Sequence, residues 1–295
     1  MHCRYLLAFL FIAFTSTVEA QRTALDSVRL ADTTVIHVVK LRDGSTVVGR
    51  ITALSADSIR LRLTEGEVSL ARSGVSEVRQ VPASLMRNGQ YWFENPHSTR
   101  LLFSSTAFPL EKGTGYYSNA WLFMHAFAVG VTDRFTLGGG ATTIPGIAFT
   151  DNLFYLLPKY TVFHTERTNV ALGALIGGFP FNDDVNEDVT VGGLLYAVGS
   201  TGSRESNVSL GVAWGYADDE VTSSPGFMLG GQGRVSRRVS LISENWFVPI
   251  DGETEGVVSY GLRFLGENIS ADLAWVTPLG TGKIGIPWLG FAFKF

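Results

Sequence analysis

Five histidines and one dense acidic run are the residues of this chain best suited to chemistry, and their spacing restricts what that chemistry can be. His2 precedes an apolar N-terminal run, while His37, His97, His125 and His164 lie on separate segments, so no two share the close spacing of a zinc motif. His125 is the most suggestive. It stands among Trp121, Phe123 and Phe127, where an enzyme acting on membrane lipids would hold its base. No serine stands two residues away, and a lone histidine on such a strand more often serves structure. The run Asp183, Asp184, Asn186, Glu187 and Asp188 offers the clustered oxygens that Ca²⁺ prefers. It lacks the glycine and the distal glutamate of a calcium loop, so a solvated acidic loop is expected. Nucleophile elbows, phosphate loops and zinc signatures are absent. The sequence therefore predicts no catalytic residue, no metal site and no cofactor, and the chain is not expected to be an enzyme.

A second set of polar residues is defined by position rather than by motif. Lys159, Gln232, Arg234, Glu244, Ser259, Arg263 and Asp272 each fall inside an otherwise apolar, alternating segment. Such segments recur about twelve times: 99–107, 117–131, 134–143, 153–163, 168–178, 189–201, 206–217, 226–235, 238–248, 256–265, 269–276 and 286–295. In the clearest, Val208, Leu210, Val212, Trp214 and Tyr216 alternate with Asn207, Ser209, Gly211, Ala213 and Gly215. A strand with a period of two places the large set on one face and the small set on the other.

Composition selects the environment of those faces. The chain is 45% hydrophobic and only 17% charged, with 33 glycines, yet beyond its N-terminus it has no apolar run long enough for a membrane helix. Apolar residues dispersed in short alternating segments are the signature of a transmembrane β-barrel, with lipid outside and a polar lumen within. The seven polar residues above then become lumen-lining candidates. The C-terminus agrees, since Gly290, Phe291, Phe293 and Phe295 end the chain on an alternating aromatic strand. Their spacing resembles the signal by which the outer-membrane assembly machinery recognises its clients, although Trp288 stands where that pattern prefers a polar residue.

The connections alternate in length. Brief links at Asp133-Arg134, Glu166-Arg167, Arg204-Glu205, Arg237-Arg238 and Glu267-Asn268 take turns with longer ones rich in Asp and Glu. Short periplasmic turns and longer outer loops have this arrangement. Counting from a two-residue loop at Glu267-Asn268 sets Arg263 directly opposite Asp272 on the lumen face, because a slip of one residue would exchange the two faces.

Ahead of the barrel the texture changes. Residues 1–20 have the short basic start, apolar core and small-residue end of a signal peptide, and carry the only cysteine, Cys3. Residues 21–33 are read as a flexible segment, 34–81 as a small β module, 82–98 as a linker and 99–295 as the barrel. In the module, Leu41-Arg42-Asp43-Gly44-Ser45 followed by Gly49-Arg50-Ile51 resembles an Sm-like or SH3-like small barrel. Soluble Sm-like proteins often bind RNA, and Arg60 and Arg62 share a strand face, but export argues against a nucleic-acid partner.

The stretch Asn95-Pro96-His97-Ser98-Thr99-Arg100, with Gly113-Thr114-Gly115-Tyr116-Tyr117 and Gly130-Val131-Thr132-Asp133, resembles an uncharacterised family of bacterial outer-membrane barrels. That resemblance implies an all-β fold, an up-and-down antiparallel barrel of about twelve strands. It also implies an outer-membrane location with the module and the C-terminus in the periplasm, and it brings no activity with it. Expected partners are outer-membrane lipid and lipopolysaccharide, and the assembly machinery through the last strand. Two functions stay open: a passive pore for small polar solutes, or a non-conducting anchor displaying acidic loops or the module. A lipid-acting enzyme is a distant third.

Overall fold

A computed structural model describes residues 30, 32–148, 152–180, 189–217, 220–250, 253–280 and 285–295. The expected signal peptide, the acidic run at 183–188 and parts of the longer loops lie outside the described residues. Chain packing divides between Trp92 and Phe93 into two units.

The first unit is a five-stranded antiparallel sheet of β1 (Val35–Leu41), β2 (Thr46–Leu54), β3 (Ser58–Leu63), β4 (Gly66–Ala71) and β5 (Val75–Pro82), in the order β4-β3-β2-β1-β5. Val39, Ile51, Ile59, Leu61, Val75 and Val78 form its aliphatic core. The Asp43-Gly44 turn is closed by Gly44 at φ 87° and by the Asp43 carboxylate, which accepts from the Ser45 amide at 2.8 Å. A short hairpin, β6 (Met86–Arg87) and β7 (Gln90–Tyr91), follows. A single helical turn at Arg72–Gly74 separates β4 from β5.

The second unit is a closed antiparallel barrel of twelve strands. They are β8 (Gly115–Ala120), β9 (Met124–Gly130), β10 (Phe135–Thr142), β11 (Phe154–His164), β12 (Thr168–Pro180) and β13 (Val189–Gly202). Then come β14 (Ser206–Ala217), β16 (Gly226–Ser236), β17 (Val239–Ile250), β18 (Glu253–Leu265), β19 (Ile269–Pro278) and β20 (Ile286–Lys294), with the two-residue β15 (Glu220–Val221) beside β14. Each long strand pairs with its neighbours, and β20 pairs with β8 to close the ring. Gly115 and Phe295 exchange backbone hydrogen bonds at that seam, at 2.9 and 3.0 Å.

Two strand expectations are corrected. Residues 99–107 are not a wall strand, and 117–131 is a hairpin, β8 and β9, rather than one strand. The turn between them runs through Trp121 and Leu122 at φ 50° and 68°. One strand lost and one gained leave the count at twelve.

The barrel is inside out relative to the small sheet. Leu172, Leu195, Leu210, Leu229, Leu241, Tyr260 and Leu273 are exposed on its outer face, as are Phe293 and Phe295 at its last strand. An apolar exterior of this kind marks a surface that meets lipid or another apolar partner.

Candidate functional site

The lumen holds the charged residues, and their ladder neighbours explain why they need a partner from elsewhere. Lys159 on β11 stands between Thr136 and Gly173, and Glu244 on β17 between Gly230 and Ser259. Neither has a counter-charge across the strand. Both are nonetheless buried, Glu244 completely and Lys159 to 3% exposure. A buried charge is stable only when hydrogen-bonded or paired.

The partner is residues 93–112. This segment enters at the short-turn end, where the Asn95 amide N–H donates to Glu205 at 2.8 Å and the Asn95 side chain donates to the Arg204 carbonyl at 3.1 Å. It then turns back on itself inside the barrel. Arg100 and Ser105 form a bridge, and the Leu101 and Thr106 amides donate to the Ser104 and Thr99 carbonyls at 2.8 and 3.0 Å. At this tip the backbone N–H groups of Leu102, Phe103 and Ser104 converge on the Glu244 carboxylate at 2.8, 2.9 and 3.1 Å. Successive amides pointing the same way make an anion nest. Trp246 Nε1 donates to the same carboxylate at 2.8 Å.

The cations grip the descending arm. Lys159 Nζ donates to the carbonyls of Thr106 and Phe108 at 2.8 and 2.9 Å. Arg204 reaches the Pro109 carbonyl and the Ser98 hydroxyl at 3.2 Å each. Arg234 donates to the Phe93 carbonyl and pairs with Glu205.

Arg263 is the centre of the arrangement. It is the Cα partner of Asp272 across the β18–β19 ladder and binds that carboxylate with both Nε and Nη2, at 2.6 and 3.1 Å. Its remaining donors reach the carbonyls of His97, Arg100 and Leu101 and the Gln232 side-chain oxygen, at 2.9 to 3.1 Å. Asp272 also pairs with Arg100 of the inserted segment at 2.9 Å. Ser259 is buried in the same lumen without a side-chain hydrogen bond.

Apolar packing completes the fill. Leu101, Leu102 and Ala107 of the segment pack with Ala171, Val198, Met228, Ile242, Ala274 and Trp288 of the wall. Gly230 suits this close approach, because a Cβ at that position would lie 2.5 Å from Leu101 Cδ1 and 2.9 Å from the Ser243 carbonyl oxygen. The structure thus brings Lys159, Gln232, Arg234, Glu244, Arg263 and Asp272 onto one inserted segment, of which the sequence reading assigns 93–98 to the linker and 99–107 to a wall strand. Gly290, Phe291, Phe293 and Phe295 lie on or beside β20, with the three phenylalanines exposed outward. Among the described residues, no cluster of His, Cys, Asp and Glu is arranged to hold a metal ion.

No protein-family model matches the sequence, and no curated protein does. Solved structures similar to the chain include the KdgM porin in complex with disordered oligogalacturonate. It has 8% identity and a TM-score of 0.44, over 62% of this chain and 98% of that one. The NanC porin is 8% identical with a TM-score of 0.38, over 61% and 97%. A loop-deletion form of OmpT, an outer membrane protein of Vibrio cholerae, is 10% identical with a TM-score of 0.35, over 89% and 97%. At this identity and overlap the likeness is one of general shape.

Proposed function

We propose that this protein is an outer-membrane β-barrel closed by its own residues 93–112, serving as a non-conducting anchor rather than a standing pore. The membrane part of this reading is supported by the apolar exterior of the barrel and by the aromatic last strand. The observation that favours closure is that Lys159, Glu244, Arg263 and Asp272 all spend hydrogen bonds on the inserted hairpin. A twelve-stranded barrel is wide enough that its side chains alone do not fill it, and here a second piece of chain does.

In this reading the short turns face the periplasm, and so do the C-terminus and the N-terminal sheet, which retains its Sm-like resemblance and an unassigned periplasmic partner. The longer acidic loops face outward, among lipid and lipopolysaccharide. The last strand, ending at Phe295, is what the assembly machinery recognises. Planar-bilayer recording of the purified chain tests the reading. The expected result is a barrel that migrates faster unheated than boiled, yet gives no stable conductance steps. Discrete steps from the intact chain would return the function to a pore.

A further inference from the structure

On the outer face of β8, β9 and β10 runs a chain of polar side chains that neither the lumen nor the apolar exterior uses. His125 on β9 lies opposite Asn119 on β8, in the same alternation that pairs Tyr117 with Phe127 and Asn119 with Phe291. Phe127 and Phe291 are exposed outward, so this face is the one presented to lipid. His125 Nδ1 lies 2.7 Å from the Tyr117 hydroxyl and 3.2 Å from the Asn119 side-chain nitrogen. Its other nitrogen, Nε2, lies 2.8 Å from the Thr143 hydroxyl. Thr143 is exposed just beyond β10, and its N–H donates to the Phe123 carbonyl at 2.7 Å.

The hairpin that holds Asn119 against His125 is strained. Trp121 and Leu122 both occupy the left-handed region at its turn, a conformation that side chains other than glycine rarely adopt and that clusters at functional sites. Trp121 is pinned there by its indole N–H, which donates to the Pro287 carbonyl at 2.7 Å, and by stacking on Phe123. Leu122 beside it is 80% exposed. Aromatic residues gathered at one level of a barrel mark the border between hydrocarbon and headgroups, where lipid ester carbonyls lie.

We propose that Thr143, His125 and the Tyr117–Asn119 pair form a nucleophile, a base and an orienting group for acyl transfer, with the acyl ester of a membrane lipid as substrate. The proposal rests on the membrane reading above. A nucleophile in hydrogen-bond reach of a base, itself held by a third group, is the arrangement that activates a hydroxyl, whatever the fold.

The step runs through the tautomer with the proton on Nδ1. Tyr117 Oη accepts that proton's hydrogen bond, and the Asn119 side chain must turn over in this tautomer, because the Nδ2 that lies 3.2 Å from Nδ1 can only donate. Nε2 is then free to accept from the Thr143 hydroxyl. Thr143 Oγ1 forms a bond to the acyl carbon as its proton moves to Nε2 and the carbonyl π electrons move onto oxygen. Collapse of this intermediate breaks the bond to the lipid alcohol, which leaves with the proton from Nε2. Water repeats the sequence on the acyl-threonine, releasing the fatty acid and restoring the Thr143 hydroxyl.

The test uses the full chain in phosphatidylethanolamine vesicles, measuring free fatty acid, together with a fluorophosphonate probe and peptide mass mapping. The expected result is release above protein-free vesicles and a probe adduct on Thr143. Thr143→Ala and His125→Ala should lower release at least tenfold, and Thr143→Ser should retain it. Each variant is checked for the gel shift between unheated and boiled samples, so a misfolded barrel is recognised. A shifted wild-type barrel that releases no fatty acid, or a shifted Thr143→Ala barrel as active as wild type, overturns the relay alone. A wild-type chain without the shift overturns the membrane placement, and the relay with it.

Discussion

In the five-stranded sheet the residues with no exposure include Val39, Ile51, Ile59 and Leu61, whereas in the barrel wall they include Arg263 and Glu244. Both units are made of alternating strands, so alternation does not decide which face turns inward. The surroundings do. Water outside the small sheet drives its aliphatic face together, and the gain is the transfer of apolar area out of water. On the membrane reading proposed above, lipid outside the barrel removes that driving force from its apolar face and leaves the polar face to be satisfied within. The inserted hairpin is the answer to that demand, since its backbone amides and carbonyls supply partners that neighbouring strands do not.

The comparison breaks most sharply at Asp272. Replacing it with alanine strands two buried cations, Arg263 and Arg100, and should cost about 3–5 kcal/mol, the usual penalty for removing one partner of a buried pair. The temperature at which the unheated gel band is lost measures this. Because two arginines share the carboxylate, the triple variant Arg100→Ala, Arg263→Ala, Asp272→Ala should recover more heat resistance than Arg263→Ala with Asp272→Ala. Equal melting of the two would mean that Arg100 is not part of the network.

In the small sheet the corresponding injury is a cavity. Ile51→Ala should destabilise it by about 2–5 kcal/mol, as buried aliphatic truncations do. Hydrogen exchange of the β1 and β2 amides in the full chain should rise, while the heat resistance of the barrel stays unchanged. A fall in barrel heat resistance would show that the two cores are not independent.

A smaller effect separates the units by pH. Burial, with the Arg50 charge added, holds the His37 imidazole below its ordinary pKa, and Nδ1 accepts the Ile51 amide at 3.1 Å. The folded sheet therefore keeps His37 neutral, whereas the unfolded chain takes up a proton below about pH 6.5. Stability is full above that pH and is lost as pH falls from there toward the folded value, by at most about 1.4 kcal/mol per pH unit. Exchange of the β1 and β2 amides should rise over this window in the wild type and stay flat in His37→Gln. The same slope in both would assign the effect to another group.

Much of this was legible in the residues themselves. The period of two pointed to an antiparallel barrel, its count of twelve kept because the misread 99–107 and 117–131 offset each other, and counting from Glu267-Asn268 set Arg263 against Asp272, its partner in the ladder. The inserted hairpin was not legible in the same way. Leu101, Leu102, Phe103, Ala107 and Phe108 have the composition of a wall strand, because a segment inside a lumen packs on apolar residues as a strand packs on lipid. The available signal was indirect. Lys159 and Glu244 have no counter-charge in the adjacent strands, and glycine at 173 and 230 leaves room over them. The outer relay was hidden for another reason: Thr143 is eighteen residues from His125 and joins it only through the β9–β10 pairing.

Occupation of the lumen by residues 93–112 is tested most directly by a crosslink within the barrel. The Ala107 amide donates to Ser200 Oγ at 2.9 Å, although the two residues are 93 positions apart. With cysteine at both positions, mild oxidation of the folded, heat-shifted barrel should form a disulfide, which thiol mapping by mass spectrometry detects as a linked peptide pair. Cysteines that stay reduced and react freely with a water-soluble thiol reagent would place the segment outside the lumen and contradict the account.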